Sequence, residues 1–591
     1  MILSPIPPHE EKLVDEPLLP ENIANMVTAI SLATRISLRC SSLLFDAIFE
    51  AAKYGTSLSL GLSRNALTNA IITAKNLHNN DHLVLEKYTN IGLYIVSHTF
   101  SLAELFAMSG LQFTSRTIQS SLKAAEESVR IVDGIFGAND TSRAIASFIT
   151  LVHRELVQDP EFELAKQGKV AILAGLTKAL TAFAVLQNVT HKRMMKQIPI
   201  TILWEGLEEI MYYDHGWNFP KNHIINNIEH FMRYASAAYG ESFMRILGIG
   251  DIPTILPNSH HHHPNHHAFA HHTGNSVEDI LLSSYTDRSP LHLHNPSIHA
   301  LVHYVTVDHA SKAIVLTCRG TLGLSDILTD LSMSYSEFSL PTDKEKVFKA
   351  HRGMLDAAQL LSKEKGKVYQ KIRQGLESYP DYGLVLCGHS LGGGVASLLC
   401  VLWRGDSLMP SFVTSSQSGL PAGRPIHCYA YGPPGVMSLS LSNYCSGLVT
   451  SVVHGYDIVS SLSLGLVKDF KNVATSLHEE ADVAEEIISR VVGRLQKKKD
   501  EEVTEDDQWF WAMIKTMRAD MNSEKMYPPS TVYLIETIPH IKEQHKVVLC
   551  RCEDVEARFS EIVFTRTMFM DHSPLMYERA IKKLCRGFSN K

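Results

Sequence analysis

The strongest chemical signal in the chain is the pentapeptide Gly388-His389-Ser390-Leu391-Gly392. An apolar stretch, GLVLCG, leads into it, and an apolar helical pattern, GGVASLLCVLW, follows it. A serine in a tight strand-to-helix turn is held in a strained conformation that exposes its hydroxyl, and the flanking glycines remove side-chain clashes. The pattern therefore predicts a nucleophile elbow with Ser390 as the nucleophile. The alternative is a glycine-rich turn with an idle serine.

A nucleophilic serine needs a histidine base and an acid that orients the base. After an elbow of this type, the acid and then the histidine follow along the chain. Asp457 comes just after the strand-like run LVTSVVHG, and His572 lies at the start of a helical pattern, so we predict these two residues as acid and base. The alternatives are an ordinary turn aspartate and a surface histidine. Three histidines are weaker candidates for the base, because of their order or their place in a strand or turn: His454, His540 and His545.

The developing oxyanion requires two backbone N–H donors, each lowering the barrier by about 3–4 kcal/mol. One donor is expected from Leu391, the residue after the nucleophile. The other is expected from the loop after an earlier strand, where Thr321 follows the run AIVLTCRG. We expect Arg319 and Asp326 to brace that loop without taking part in the chemistry.

The elements around these residues alternate between strands and helices. Lys346 to Ser378 has the spacing of a helix, as does the stretch after Ser390. Such alternation predicts an α/β fold with a mainly parallel sheet covered on both faces. The predicted strands are LVHYVTV, KAIVLTCRG, GLVLCG, IHCYAYG, LVTSVVHG, STVYLIET and HKVVLCR.

The length of 591 residues implies more than one domain. We predict a disordered tail at 1–20, which is acidic and proline-rich, and a helical N-terminal domain at 21–200, which lacks proline as far as Asp159. A membrane-associating role is the alternative for this domain. Tyr88–Ser115 comes closest to a membrane span, but it is broken by polar residues. The hydrolase domain is predicted at 220–591.

Two segments interrupt the predicted hydrolase domain. The first, 259–272, holds eight histidines between His260 and His272, and it is predicted to be an exposed loop. A metal-binding tract is the alternative. The second, 468–526, is a charged helical insert. It is predicted to be a solvated helix and flexible loop, with a regulatory or lid-like element as the alternative.

Eight segments, in order from about Phe231 to Glu578, resemble the class 3 lipases, the fungal lipase family that includes the sn-1-specific diacylglycerol lipases. They are HFMRYASAAYG, AIVLTCRGTLGLSDILTD, HRGM, VLCGHSLGGGVASLL, YAYGPPGVMS, VVHGYDIVSSLS, YPPSTVYLIE and MDHSPLMYE. The resemblance implies an α/β-hydrolase fold, a Ser390–Asp457–His572 triad, and an oxyanion hole at Thr321 and Leu391. It also implies a mobile lid within Ser332–Lys346, and the second insert resembles a regulatory loop. Calcium is suggested by family analogy alone.

Composition and termini bear on location and partners. The net charge of −7 does not favour nucleic acid as a partner. The nine cysteines are scattered, and several lie in apolar runs, which is typical of reduced thiols. The N-terminus lacks the pattern of a signal peptide. These features predict a cytoplasmic protein, with peripheral contact to an intracellular membrane or lipid droplet as a further option.

The function predicted from these residues is hydrolysis of acylglycerol esters, diacylglycerol or triacylglycerol, with release of fatty acid. This chemistry needs no metal or organic cofactor. Three alternatives stay open: a phospholipase of the same fold, a non-catalytic scaffold at lipid surfaces, and a metal-responsive protein that uses the histidine tract.

Overall fold

A computed structural model of the chain describes the part from Ile224 onwards most fully. The main described ranges are 224–250, 252–253, 263–285, 301–320, 334–340, 345–405, 412–479, 505–538, 546–565 and 567–589. Shorter described pieces are residue 25, residues 182–184, 186–187, 189–190 and 200–202, and residues 483–484, 486–487 and 490. The predicted tail, most of the predicted N-terminal domain and Thr321 lie outside the described residues.

The described strands form one large sheet and a separate hairpin. Their bounds are β1 Ile200–Ile202, β2 Ile280–Ser283, β3 His303–Asp308, β4 Ala313–Cys318, β5 Tyr335–Ser339, β6 Val347–His351, β7 Gly383–His389, β8 Ile426–Tyr431, β9 Val449–His454, β10 Val532–Ile538 and β11 Lys546–Cys552. The sheet has the order β1-β11-β10-β9-β8-β7-β4-β3-β2, and β5 pairs with β6. All seven strands predicted from the sequence are present.

The centre of the sheet is parallel. Strands β4, β7, β8, β9 and β10 run side by side in one direction. Strands β2, β3, β11 and β1 add antiparallel pairs at the two edges. Every residue of β4, β7 and β9 is buried, as expected of parallel strands covered on both faces. The predicted α/β-hydrolase architecture is therefore confirmed.

Helices cover both faces of the sheet. The helices within the described residues are α1 Ile224–Ala237, α2 Glu241–Leu247, α3 Pro264–Thr273, α4 Arg352–Leu361, α5 Lys367–Ser378, α6 Leu391–Trp403, α7 Leu439–Tyr444, α8 Leu464–Glu479, α9 Glu505–Ala519, α10 Val555–Phe559 and α11 Pro574–Ser589. Helices α1 and α11 share a core with alternate residues of the central strands, such as Val385 and Cys387. Helix α6 packs on β7 and β8 next to α4, where Gly394 closely approaches Met354. The central strands therefore lie between two helical layers.

The prediction of one helix over Lys346–Ser378 was wrong. The segment begins with β6, whose residues pair with β5, and continues as the two helices α4 and α5. The His351 side chain caps α4 by accepting a hydrogen bond from the Met354 amide, and α5 starts after Gly366. The pairing of β6 with a strand earlier in the chain overrides the helical spacing.

The prediction of an exposed loop at 259–272 was also wrong in its described part. Residues Pro264–Thr273 form helix α3, with proline in its first turn and a His263 side chain that accepts from the Asn265 amide. His266 is buried against Ser283, and His272 is buried against Glu578. Both histidines therefore anchor the helix in the core, which the composition of the tract does not suggest.

The chain divides into two compact units. The first contains Met1–Thr190, Gly323–Thr329 and Val467–Asn522, and the second contains His191–Leu322, Asp330–Leu466 and Ser523–Lys591. The charged insert is thus grouped with the N-terminal part of the chain, which differs from the predicted division. Its helices α8 and α9 are present, and the Asn472 side chain donates to the Asp520 carbonyl. Within the described ranges, no helix meets the length and hydrophobicity needed to cross a bilayer, and the candidate Tyr88–Ser115 lies outside those ranges.

Candidate active site

Ser390 lies at the turn between β7 and α6, at the carboxyl end of the parallel strands. Its φ of 59° is in the left-handed region, which is uncommon for a residue other than glycine. A Cβ at Gly388 would lie 2.5 Å from the Gly392 carbonyl carbon, and one at Gly392 would overlap the Cys318 carbonyl oxygen. The Ser390 amide donates to the Tyr431 carbonyl at 2.8 Å. The two glycines and this bond hold the serine in the strained geometry of an elbow.

The structure brings the three residues of the predicted triad together. His572 Nε2 is 2.9 Å from Ser390 Oγ, and His572 Nδ1 is 2.8 Å from Asp457 Oδ2. Asp457 lies in the turn after β9, and His572 lies just before α11. All three side chains are buried, and Ser390 has no exposed surface. In this arrangement the imidazole can accept the serine proton on one nitrogen while the other donates to the carboxylate.

The alternative histidines are placed elsewhere or are not described. The Nδ1 atom of His454 is 3.6 Å from Asp571, a different acid from the one that His572 contacts. His540 and His545 lie outside the described residues. Among the described histidines, His572 is thus the one whose ring joins Ser390 to a carboxylate.

Two donors fix the Asp457 carboxylate. The Val459 amide donates to Oδ1 at 2.9 Å, and the Tyr577 hydroxyl donates to Oδ2 at 2.6 Å. Tyr577 also accepts a hydrogen bond from the His454 amide at 3.1 Å. Burial, reinforced by the Asp457 charge, raises the pKa of Tyr577 well above its ordinary value, so the hydroxyl keeps its proton and remains a donor. Sequence reasoning missed Tyr577, although it lies only five residues after His572.

His389 lies against the predicted base. The centroids of the two imidazole rings are 4.7 Å apart, and the Tyr239 hydroxyl is hydrogen-bonded to His389 Nδ1 at 2.7 Å. Burial, together with the nearby His572, lowers the pKa of His389 well below its ordinary value, so that ring stays neutral. A neutral neighbour leaves His572 free to take up the proton from Ser390. Tyr239 was also missed, because it is 150 residues away in sequence.

The two predicted oxyanion donors differ in how much of them is described. Leu391 opens helix α6, where the amides of the first turn have no acceptor within the helix. Thr321 lies outside the described residues, but its neighbour Gly320 is described. A Cβ at Gly320 would lie 2.8 Å from Ser390 Cβ, so the end of β4 passes directly against the elbow. The residue just before the predicted second donor thus lies beside the nucleophile.

Part of the predicted lid, Ser332–Lys346, is described as strand β5. The Tyr335 hydroxyl accepts from the Gly465 amide at 2.7 Å and donates to the Glu524 carbonyl at 3.2 Å. Lys349, on the paired strand, contacts the Glu524 carboxylate at 2.9 Å. The described end of this segment is therefore bonded to Gly465, just before the charged insert, and to Glu524, near the end of that insert.

No group of three or more histidine, cysteine or acidic side chains within the described residues could hold a metal ion. Calcium, which family analogy alone suggests, therefore has no such group of ligands within those residues.

Comparison with known proteins gives a family match and several sequence relatives. Residues 315–466 match the family model Lipase (class 3). Diacylglycerol lipase-beta of Mus musculus is 28% identical over 267 residues, covering 42% of this chain and 35% of that protein. Diacylglycerol lipase-alpha of Rattus norvegicus is 26% identical over 312 residues, covering 48% of this chain and 27% of that protein. The chain thus spans about a third or less of the length of these relatives.

Solved structures were matched as well. The native propeptide complex of the Rhizomucor miehei lipase has a TM-score of 0.33 and 15% identity, covering 59% of this chain and 78% of that one. A mutant form of MDLA from Penicillium cyclopium has a TM-score of 0.33 and 17% identity, covering 60% of this chain and 97% of that one. The family match and the two sequence relatives confirm the predicted resemblance to the class 3 lipases and their diacylglycerol lipase branch.

Proposed function

We propose that this chain is a serine carboxylic ester hydrolase that acts on acylglycerols and releases fatty acid. The observation that carries the proposal is the 2.9 Å contact between Ser390 Oγ and His572 Nε2, with Asp457 2.8 Å from the other imidazole nitrogen. The strained elbow places this contact at the N-terminus of α6, where backbone amides can stabilise an oxyanion.

The proposed reaction proceeds through an acyl-enzyme. Ser390 attacks the ester carbonyl while His572 takes the serine proton, and Asp457 stabilises the resulting imidazolium. The Leu391 amide and a donor from the Thr321 loop bind the oxyanion. His572 then protonates the departing alcohol, and it activates a water molecule that releases the fatty acid. No metal or organic cofactor is required for these steps.

Diacylglycerol or triacylglycerol is the substrate class that we propose, with phospholipid as the second choice. The matched relatives named diacylglycerol lipases support the acylglycerol class. Acylglycerols are met at a lipid surface, so we also propose peripheral contact with a membrane or lipid droplet. An apolar turn supports this contact: Met570 is 53% exposed, and the Met568 carbonyl accepts from the Ile458 amide next to Asp457.

A cytoplasmic location is the last part of the proposal. The support comes from the cysteines in the described part of the chain: all eight are free thiols and seven are buried, as is typical of proteins in a reducing compartment. Fractionation of cells that express the tagged protein, with and without a high-salt wash of the membranes, would test it. Release by salt is expected for peripheral attachment.

The experiment that tests the function is fatty-acid release from emulsified diacylglycerol, triacylglycerol and phosphatidylcholine. The purified wild type is compared with Ser390→Ala and with a matched control, Ser397→Ala. Ser397 lies two turns along the same helix, and its hydroxyl bonds to the Gly393 carbonyl rather than to His572. We expect Ser390→Ala to lose activity by at least ~1000-fold, while Ser397→Ala retains it.

The outcomes separate the candidate functions. Serine-dependent release from diacylglycerol or triacylglycerol supports the proposal, and a preference for phosphatidylcholine identifies a phospholipase. A folded wild type that releases nothing and does not react with a fluorophosphonate probe would support the non-catalytic scaffold instead.

A further inference from the structure

A second carboxylate, Asp571, is buried beside the candidate active site and has no role in the proposed reaction. It directly precedes His572 in the chain, and only 5% of its surface is exposed. Its Oδ2 atom accepts hydrogen bonds from the Tyr456 amide at 3.0 Å and from the Thr567 hydroxyl at 2.9 Å. Burying a carboxylate is unfavourable unless it is well hydrogen-bonded, and these two bonds meet that need. A buried charge supported in this way indicates a role beyond chain packing.

The bond to Tyr456 connects the two loops that supply the acid and the base. Tyr456 directly precedes Asp457, just as Asp571 directly precedes His572. One hydrogen bond therefore fixes the backbone of the acid loop against the residue next to the base. The adjoining Gly455 has a φ of +54°, and a Cβ there would lie 2.7 Å from Asp571 Oδ2. The backbone of the acid loop therefore packs directly against the Asp571 carboxylate, with no room for a side chain at position 455.

Other groups around Asp571 set its charge. His454 Nδ1 is 3.6 Å from Asp571 Oδ1, and Arg558 donates to the Gly455 carbonyl at 3.1 Å. Burial raises the pKa of Asp571, and the Asp457 charge acts in the same direction. The Tyr456 amide, the His454 ring and the Thr567 hydroxyl act in the opposite direction. Tyr577 donates to Asp457 at 2.6 Å, and the Tyr456 hydroxyl is the remaining titratable group on the acid loop.

We propose that Asp571 is a positioning residue for the proposed reaction, which holds Asp457 and His572 in register through the Tyr456 amide. This inference rests on the proposed function. Asp571 does not contact Ser390 or the reacting atoms. It acts through the geometry of the acid–base pair and through its negative charge near His572. A misplacement of about 1 Å in such a pair costs on the order of 100-fold in rate.

Two substitutions separate geometry from charge. Asp571→Asn keeps an oxygen that can accept from the Tyr456 amide but removes the charge, whereas Asp571→Ala removes both. We expect kcat to fall about 10- to 100-fold in Asp571→Ala, with KM within about twofold, and to fall less in Asp571→Asn. Removing a negative charge disfavours the imidazolium, so the acidic limb of kcat/KM should move to lower pH by roughly half a unit in both variants.

The measurement is hydrolysis of a short soluble ester from about pH 5 to 9, together with the rate at which a fluorophosphonate probe labels Ser390. Asp308→Asn is the matched control, because Asp308 is a buried carboxylate bonded to His230 and Ser311 at the opposite end of the sheet. It should lower stability without moving the acidic limb. Thr567→Val removes one bond to Asp571 and keeps the charge, so it provides a milder variant if Asp571→Ala fails to fold.

The outcomes distinguish this inference from the proposed function. A folded wild type that neither hydrolyses the ester nor reacts with the probe overturns the proposed function, and this inference with it. An active wild type whose folded Asp571 variants keep its kcat and its acidic limb overturns the inference alone. A lower kcat with a shifted acidic limb, absent in Asp308→Asn, supports it.

Discussion

The two sides of Ser390 are built in different ways. The elbow, Gly388–Gly392, is made of five consecutive residues. Its strained backbone is possible because the two glycines have no side chains to clash with the neighbouring backbone. The acid–base side combines the loop at 454–459 with the segment 567–577, and its key contact joins residues 115 positions apart. It is held by side-chain hydrogen bonds from Asp571 and Tyr577.

This difference predicts two kinds of response to substitution. Backbone atoms at the elbow cannot move aside, so an added methyl group should abolish the geometry outright. Hydrogen bonds on the acid–base side can be lost one at a time, so the losses there should be graded and should depend on pH. Substitutions on the two sides test this contrast, from the largest expected effect to the smallest.

Gly392→Ala is expected to have the largest effect. The new methyl group would overlap the Cys318 carbonyl oxygen and lie 2.7 Å from the Arg319 carbonyl carbon. We expect complete loss of ester hydrolysis and a loss of about 3 kcal/mol or more in the free energy of unfolding. Urea unfolding and esterase assays provide the measurement.

The control for this variant is Gly248→Ala. Gly248 differs from Gly392 in two ways: it has a positive φ, of 68°, and no atom lies within 4 Å of the added methyl group. It should cost only about 1 kcal/mol and leave activity unchanged. Because Gly392 has no positive φ, a stability loss in Gly392→Ala no larger than that in Gly248→Ala would show that the close approach to Cys318 does not make glycine necessary at the elbow.

Tyr577→Phe is the graded counterpart on the acid–base side. It removes the 2.6 Å bond to Asp457 but keeps the buried ring, so we expect kcat to fall about 10-fold. Without that donor, the negative charge of Asp457 is offset by one hydrogen bond fewer, which favours the imidazolium form of His572. The acidic limb of kcat/KM should therefore move to higher pH. The high pKa of Tyr577 means that the tyrosine itself does not titrate in the assay range.

The direction of that shift is the critical result. Tyr577→Phe and Asp571→Asn should move the acidic limb in opposite directions, although both remove a polar group from the same cluster. A shift to lower pH in both variants would mean that loosening of the pair outweighs the change in charge. Tyr533→Phe, on the neighbouring strand β10, serves as a tyrosine control outside the cluster.

The same contrast explains how much could be predicted from the sequence. The elbow and the apolar parallel strands are local patterns, and the order of nucleophile, acid and base narrows the choice of Asp457 and His572. Tyr239 and Tyr577 were missed because their partners lie 150 and 120 residues away. Tyr577 does follow the predicted base by five residues, but the sequence does not show that its hydroxyl reaches Asp457.

The two wrong predictions about elements have the same physical origin. Strand β6 exists because it pairs with β5, and helix α3 exists because His266 and His272 find buried partners. The partner of His272, Glu578, is 306 residues away. The composition of residues 259–272 indicates correctly that the tract is polar. It does not indicate the burial of His272, because that depends on hydrogen bonding to the distant Glu578.

Glu578 provides a test of stability away from the chemistry. Burial opposes its ionisation, but hydrogen bonds from His272 and Ser236 and the charge of His272 outweigh burial and lower the pKa of Glu578. A lowered carboxyl pKa contributes stability above about pH 4.3, and this contribution is lost as the pH falls through the folded-state value. We expect Glu578→Gln to lose about 1–3 kcal/mol at about pH 7, with kcat within about threefold of wild type.

Urea unfolding of both proteins between about pH 3 and 7 provides the measurement. The difference between wild type and Glu578→Gln should shrink as the pH falls below about 4.3. A difference that stays constant down to the lowest pH would show that packing, and not the carboxylate charge, accounts for the loss. Glu377→Gln is the control, because that carboxylate is exposed and pairs with Arg373 on the same helix.

Lys349→Met should have the smallest effect. Lys349 pairs with Glu524 at 2.9 Å, but both side chains are more than a third exposed, and solvent screens such pairs strongly. We expect the urea midpoint and the activity on a short soluble ester to stay within error of wild type. Tyr335→Phe keeps that ion pair and removes the hydrogen bonds to Gly465 and Glu524, so it is the informative comparison. Equal changes of activity in Lys349→Met and Tyr335→Phe would show that this exposed ion pair supports the site around Ser390. The graded contacts around the rigid elbow would then include one at the molecular surface.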